Sequence, residues 1–242
     1  MLSEKPWRAE VVMLFVAAQF VCLCLGLTIA ALLHKAGVNG FQQQEDFGNL
    51  LFATLSFQGA GWLLIWGFLR LHQTGWLAAF GWRGPKLKSA LLTAVAFILV
   101  VLPVVLLLQG GSIYVAEKLG WPHEDQAAVE MLLQAKSCWA TAYFGVFAIV
   151  IAPVAEEFIF RGVLFPFVRQ LGLPKLAWFG VSALFALIHM NAPAFVALFA
   201  FALALTWLYQ RTDNLLAPIT AHALFNATNF AMLLWQNHSS HA

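Results

Sequence analysis

Seven long apolar runs constrain this chain more than any other feature of its sequence. They cover roughly residues 11–33, 49–71, 89–108, 139–168, 176–189, 194–209 and 215–235. A helix needs about 20 apolar residues to cross the roughly 30 Å hydrocarbon core of a bilayer, and most of these runs reach or approach that length. Because backbone groups in lipid must be hydrogen-bonded within the protein, each run is predicted to be a helix.

We therefore predict an all-α fold, a polytopic transmembrane helix bundle of about seven spans (seven to eight) with short interfacial helices. The composition agrees, since 62% of the 242 residues are hydrophobic and only 10% are charged, with a mean hydropathy of +0.80. A water-soluble domain of this size has too little interior to hide so much apolar surface. No internal repeat or linker divides the sequence, so residues 1–242 are interpreted as a single integral membrane domain.

Three further features of the sequence bear on the class of protein. The net charge is only +2 and no basic run or stripe is present, so nucleic acid is not expected as a partner. The first apolar run is longer than the hydrophobic region of a cleavable signal peptide and ends without an A-x-A site, so we expect it to remain as a span. Packing roles are expected for all three cysteines, which are Cys22, Cys24 and Cys138.

The distribution of Lys and Arg predicts a cytoplasmic N-terminus. With that orientation the inner side collects Lys5, Arg8, Arg70, Arg83, Lys86, Lys88, Arg169, Lys175 and Arg211. The outer side holds only Lys35, Lys118 and Lys136. This is the bias of the positive-inside rule. The longest connection, residues 110–137, then lies outside, where we expect short helices on the interface. Its His123-Glu124 pair lacks the second His that a zinc-protease helix needs, so a solvated helix start is the preferred interpretation.

Polar side chains recur in three of the predicted helices, although insertion into a membrane disfavours them. Each charged side chain at mid-depth costs about 2.5–3.5 kcal/mol, so such residues usually face the bundle interior and mark a working site. The three groups are Glu156-Glu157-x-x-x-Arg161, Phe185-x-x-x-His189 and His222-x-x-x-Asn226. At about 1.5 Å per residue, all three groups lie roughly 14–21 Å from the inner ends of their helices. We expect one buried polar cluster.

The spacing within these groups suggests a division of labour. Glu157 and Arg161 are four residues apart on one helix face, so they can pair and reduce the cost of burying both. Glu156 points about 100° away and is predicted to be a base that activates water, with His189 at matching depth as its partner and Phe185 as a wall. His222 and Asn226 can donate hydrogen bonds to an oxyanion. Together these roles amount to peptide hydrolysis. The simpler alternative is that the same residues only join helices.

At these residues the sequence resembles the type II CAAX prenyl proteases and their relatives, the CPBP intramembrane proteases. Three motifs occur in the family's order, each in its own apolar run, and the last begins with the typical Asn214-x-x-x-Pro218-Ile219-x-x-His222. The resemblance covers about residues 139–235, which form the motif-bearing core. It implies that Glu156 and His189 activate the attacking water, that His222 and Asn226 form the oxyanion site, and that Glu157 and Arg161 support them.

Metal dependence is left open by the residues themselves. Glu156, His189 and His222 are zinc ligands by type, drawn from three helices, and members of the family have been called metalloproteases. A glutamate mechanism without metal is preferred here, so we expect no cofactor, with zinc as the alternative. Other protease classes fit poorly, because the sequence has no His-Glu-x-x-His, no Gly-x-Ser-x-Gly and no pair of membrane aspartates.

The preferred function is an intramembrane endopeptidase acting on a membrane-embedded or lipidated substrate in the bilayer, either a prenylated C-terminus or a peptide precursor. We expect its site to open on the cytoplasmic side, where the three motif helices have their charged ends. One alternative is a non-catalytic membrane protein that confers immunity to a peptide toxin or scaffolds partners. A transporter is another alternative, since buried ionisable residues also relay protons, but no inverted repeat supports it.

Overall fold

The computed structural model describes residues 3–41, 47–82, 86–120, 129, 132 and 138–240. Those residues form helices and turns, with no strand among them. The helices are α1 (Ala9–Lys35), α2 (residues 47–71), α3 (Trp76–Ala79), α4 (Lys86–Lys118), α5 (Cys138–Gln170), α6 (Leu176–Leu187), α7 (Phe195–Thr212) and α8 (Leu216–Ser240). The predicted all-α bundle is confirmed, and each of the seven predicted apolar runs coincides with a helix.

Five of these helices are long and apolar enough to cross a membrane by themselves: Ala9–Lys35, Leu51–Leu71, Leu87–Lys118, Cys138–Gln170 and Phe195–Thr212. The shorter apolar helix α6 lies antiparallel to α5, and α8 is long but more polar than the five. The protein is thus a multi-pass integral membrane protein. Two hydrophobic cores hold it together. One joins α1 and α2 to α5, α6 and α7, and the other joins α4 to α7 and α8.

The sequence predicts that the third apolar helix ends near residue 108 and that a connection begins at residue 110. This prediction is wrong. Helix α4 continues without interruption through Gly110 and Gly111 to Lys118. Each Gly costs about 1 kcal/mol relative to Ala within a helix. Two such costs do not by themselves end a helix. Most of the predicted interfacial helices of the 110–137 connection lie outside the described residues.

Helix α5 crosses the bundle unbroken despite two internal prolines. Proline has no N–H to donate, and its ring clashes with the carbonyl four residues earlier. The chain responds with two wider, π-helical stretches, Phe147–Ile151 just before Pro153 and Phe158–Leu164 just before Pro166. Each proline also deprives a preceding carbonyl of its helical donor. Side chains from elsewhere supply the missing hydrogen bonds, at Ala148 from Asn226 (2.8 Å) and at Gly162 from Trp7 (2.9 Å).

Contacts at one end of the bundle join the N-terminal segment to three later parts of the chain. Asp213, between α7 and α8, accepts a hydrogen bond from Lys5 Nζ at 3.4 Å. Gln170, the last residue of α5, donates to the Lys5 carbonyl. The backbone N–H of Arg8 donates to His72 Nε2, just after α2, at 2.9 Å. The beginnings of α1 and α8 therefore meet the ends of α2, α5 and α7.

This end of the bundle, called the basic end below, carries Lys5, Arg8, Arg70, Lys88, Arg169, Lys175 and Arg211 at helix termini or in adjoining turns. Lys35 and Lys118 terminate α1 and α4 at the opposite end. Arg83, Lys136 and the side chain of Lys86 lie outside the described residues. The described cations separate as the sequence predicts, while the end that faces the cytoplasm stays a prediction.

We expect the Trp7→Phe protein to be less stable than the wild type. Phenylalanine keeps most of the buried ring, which is only 7% exposed, but cannot donate to the carbonyl that Pro166 leaves without a helical donor. An unsatisfied buried acceptor costs about 1–3 kcal/mol of the free energy of unfolding. Thermal unfolding in detergent measures the loss. Trp139→Phe is the matched control, because Trp139 is 87% exposed. Equal unfolding midpoints for the two variants would contradict this assignment of Trp7.

Candidate active site

The predicted pair of Glu157 and Arg161 is present and fully buried. Arg161 Nη1 lies 2.9 Å from Glu157 Oε1, and the two side chains are 1% and 0% exposed. The guanidinium also donates to the carbonyl of Ala202 at 2.9 Å and, more weakly, to Thr206 Oγ1 at 3.4 Å. Its carbon lies 4.8 Å from the centre of the Phe185 ring, close enough for a cation–π contact. The hydrogen bonds offset part of the cost of burying the charges.

His222 lies between the two glutamates. Its Nδ1 is 2.9 Å from Glu157 Oε1, and its Nε2 is 3.9 Å from Glu156 Oε2. Because Glu157 also accepts from Arg161, it is a carboxylate that offers only acceptors, so Nδ1 of His222 carries the hydrogen. In the neutral ring Nε2 is then an acceptor facing Glu156. His222 can therefore donate to an oxyanion from Nε2 only after the ring has taken up a proton.

Glu156 differs from its neighbour in having no strong partner. It is 9% exposed, and within the described residues its carboxylate makes no hydrogen bond. His222 Nε2 approaches it only to 3.9 Å, which is beyond hydrogen-bond distance. Two adjacent carboxylates on one helix thus have different surroundings. Glu157 is held from two sides, whereas Glu156 remains available to a water or a substrate, which is the arrangement expected of a base.

His189 lies in a turn, and the prediction that it sits within a helix is wrong. Helix α6 ends at Leu187, and the backbone at Met190 has φ +50°, which ends the helix. His189 Nδ1 lies 2.7 Å from the carbonyl of Phe185, and since a carbonyl only accepts, Nδ1 carries the hydrogen. The free Nε2 is then an acceptor. The side chain is half-buried, and no direct contact within 4 Å joins its ring nitrogens to the carboxylate of Glu156 in the described chain.

Phe185 connects the site groups through its ring. The ring centre lies 4.8 Å from that of His189 and 5.7 Å from that of His222, and Phe160 packs edge-on against it at 5.2 Å. Phe185 is completely buried. It thus orients both imidazoles at once, which extends its predicted role as a wall of the pocket.

The side-chain amide of Asn226 uses one of its two N–H groups in a hydrogen bond within the protein. Its Nδ2 donates one hydrogen to the carbonyl of Ala148, one of the carbonyls that Pro153 leaves without a helical donor. A carboxamide nitrogen has two hydrogens, so the second remains for another acceptor. The hydrogen bond fixes the orientation of the amide. This makes Asn226 a preorganised donor, as an oxyanion site requires.

The three possible zinc ligands do not form a metal site as placed. In the described part of the chain, no three His, Cys, Asp or Glu side chains are grouped so that they could share one ion. His222 Nδ1 is committed to Glu157, and His189 Nδ1 to the Phe185 carbonyl. The predicted absence of a metal stays a prediction.

Three contributors to the site come from α7, for which the sequence predicted no role in the site. The Ala202 carbonyl and Thr206 hydroxyl hold Arg161, and the Phe201 ring packs edge-on against His222 at 5.5 Å. A backbone carbonyl has no sequence signature. Thr206 could have indicated a role, because it places a hydroxyl in an apolar helix. Such hydroxyls, however, commonly donate a hydrogen bond to a carbonyl of their own helix. Thr206 does so too, donating to Ala202 at 2.9 Å.

Comparison with known families identifies the region that holds the site. Residues 138–228 match the family model described as type II CAAX prenyl endopeptidase Rce1-like. The match contains all six predicted site residues, Glu156, Glu157, Arg161, His189, His222 and Asn226. The resemblance inferred from the three motifs is thereby confirmed over this part of the chain. No curated protein and no solved structure matches the chain.

Proposed function

We propose that this protein is an intramembrane endopeptidase that hydrolyses a peptide bond of a membrane-delivered substrate. The family match supports a CAAX-type membrane protease in general. The observation that carries the proposal is the contrast between the two glutamates. A network kept only for packing would pair both carboxylates, but only Glu157 is paired, and Glu156 is left beside an imidazole.

The attacking water is held between Glu156 and His189. Its two hydrogens point to two acceptors, the Glu156 carboxylate and Nε2 of His189, so a lone pair of the water oxygen is left to face the substrate carbonyl. No direct contact within 4 Å joins the two side chains, so the proposal needs the water to bridge them. Glu156 removes one proton as the water oxygen bonds to the carbonyl carbon.

The remaining groups stabilise the tetrahedral intermediate formed by this attack and convert it to products. The second N–H of Asn226 donates to the oxyanion. The proton on Glu156 passes to Nε2 of His222, 3.9 Å away, and the resulting imidazolium is stabilised by the carboxylate of Glu157. His222 then gives that proton to the leaving nitrogen as the carbon–nitrogen bond breaks. The products are a carboxylic acid and an amine, and the site returns to its starting state.

For orientation, we propose a cytoplasmic N-terminus, supported by the cations at the basic end. The substrate is a membrane-embedded or lipidated protein, either a prenylated C-terminus or a peptide precursor.

Mass spectrometry of protein termini in membranes tests the function. Cells making the wild-type protein are compared with cells making Glu156→Gln at the same level. We expect new termini that depend on the wild type and are absent from cells with the variant. Identical sets of termini, in cells where both proteins are folded and inserted, would contradict a protease function and favour the scaffold alternative.

A further inference from the structure

Helix α5 contains two prolines in the same local arrangement. Each follows a π-helical stretch, Phe147–Ile151 before Pro153 and Phe158–Leu164 before Pro166. Short π-helical turns inside α-helices are rare, and they are frequent at functional sites. Both prolines are buried, and beside each a side chain from a distant part of the chain donates to a carbonyl of α5. The two prolines differ in which part of the protein supplies that donor.

Pro153 leaves the Ala148 carbonyl without a backbone donor. The N–H of Ala152 donates to the carbonyl of Phe147, five residues earlier. In the same register the carbonyl of Ala148 would accept from residue 153, but proline has no N–H. Asn226 Nδ2 donates to it instead, from α8, at 2.8 Å. Any residue other than proline at this position would bring a backbone N–H within reach of the carbonyl to which Asn226 donates.

The amide of Asn226 stands one helical turn from the imidazole that lies between the two glutamates. His222, four residues earlier on α8, is 2.9 Å from Glu157 and 3.9 Å from Glu156. Residues four apart share a helix face. Both N–H bonds of a carboxamide lie in one plane, so a hydrogen bond through the first N–H fixes the direction of the second. The contact with Ala148 therefore sets the direction of the N–H that is proposed to bind the oxyanion.

Pro166 serves a different part of the molecule. The carbonyl of Gly162, four residues earlier, accepts from Trp7 Nε1 at 2.9 Å. Trp7 belongs to the N-terminal segment, where its ring packs edge-on against Phe68 and His72 with centroids 4.9 and 5.1 Å away. The proposed mechanism uses none of these residues. Pro166 thus shares its helix, its burial and a neighbouring π-helical stretch with the first proline, and it provides the matched control.

We infer that Pro153 is a positioning residue for the reaction, because it keeps the Ala148 carbonyl for Asn226. This inference rests on the proposed function, in which the second N–H of Asn226 donates to the oxyanion. In Pro153→Ala a backbone N–H competes for the same carbonyl, so the amide of Asn226 is held less firmly. Preorganised donors act on the charge that develops in the transition state. The change should therefore lower the turnover number and leave KM unchanged.

Kinetics of single and double variants test the inference. Turnover is measured on the purified, reconstituted protein, with a substrate identified from the Glu156-dependent termini. Asn226→Ala should lose on the order of 100-fold, since one oxyanion donor contributes about 10²–10³ in rate. Pro153→Ala should lose roughly 10-fold, a part of that contribution, and Pro166→Ala should stay near the wild type. In the Asn226→Ala background, Pro153→Ala should cause no further loss, whereas the effects of two independent changes would multiply.

The outcomes separate the inference from the proposed function. Equal turnover numbers for Pro153→Ala and Pro166→Ala would overturn the inference. So would an equal loss from Pro153→Ala with and without Asn226, because Pro153 would then not act through the amide. In both cases a loss of turnover in Glu156→Gln leaves the protease function intact. Retained turnover in Glu156→Gln would instead overturn the proposed function and the inference together.

The unfolding midpoint gives a second test, which does not depend on catalysis. In the wild type, Asn226→Ala leaves the Ala148 carbonyl without its donor, and an acceptor without a donor inside a membrane protein lowers its stability. In Pro153→Ala the backbone N–H replaces that donor, so the same change at Asn226 should lower the midpoint by clearly less. In Pro166→Ala it should lower the midpoint as much as in the wild type. Equal losses in all three backgrounds would overturn the inference.

Discussion

Glu156→Gln will reduce the turnover number at least about 100-fold while leaving the protein folded and inserted. The amide matches the carboxylate in size but cannot accept the proton of the attacking water, and the loss of a general base costs on the order of 10²–10⁴ in rate. Glu156 holds no buried partner by a hydrogen bond, so little stability depends on its charge. Turnover of the purified, reconstituted protein and its unfolding midpoint are the two measurements.

Glu10→Gln is the matched control for this experiment. Glu10 is 72% exposed in a surface pair with Arg8, at the basic end and far from the site. It should keep both turnover and midpoint. Retained turnover in purified Glu156→Gln would remove Glu156 from the chemistry and with it the proposed mechanism.

Arg161→Ala will lower both stability and activity. The change leaves Glu157 as a buried carboxylate whose remaining partner is His222, and it strips a donor from the Ala202 carbonyl. Breaking a buried ion pair by removing one partner typically costs about 3–5 kcal/mol of the free energy of unfolding. Activity falls as well, because Glu157 is the group that orients His222 and stabilises its protonated form.

Arg211→Ala separates this effect from the loss of any arginine. Arg211 is exposed at the end of α7 and stacks on Trp207, an arrangement that contributes little. Its unfolding midpoint should stay near that of the wild type. If Arg161→Ala loses activity while its unfolding midpoint is unchanged, then Arg161 contacts the substrate. Its pairing with Glu157 would then not explain its role.

The helices and the buried ion pair were predictable because each rests on a short-range pattern. An apolar run of about 20 residues has few options in a membrane other than a helix. Glu157 and Arg161 share one helix, so their spacing alone indicates that they meet. By contrast, His222 reaches Glu157 from another helix, 65 residues away, and only the packing of α5 against α8 brings them together.

The details around the prolines could not be predicted from the same patterns. Pro153 and Pro166 indicate that two helical hydrogen bonds are missing. The side chains that donate in their place, Asn226 and Trp7, are distant in sequence. The turn at His189 was hidden because an apolar run does not reveal where its last helical residue lies. Gly110 and Gly111 led to the opposite error, because two glycines cost only about 1 kcal/mol each within a helix and do not have to end it.

Activity after removal of metal tests the central claim, that Glu156 and His189 activate water without a cofactor. The reconstituted protein is treated exhaustively with a strong chelator, and zinc per chain and turnover are measured on the same sample. We expect unchanged turnover and no stoichiometric zinc, because a carboxylate and an imidazole suffice to orient and deprotonate water, and because Asn226 suits an oxyanion better than a zinc ion. About one zinc per chain, lost together with activity and restored with it, would contradict the account and make Glu156, His189 and His222 metal ligands.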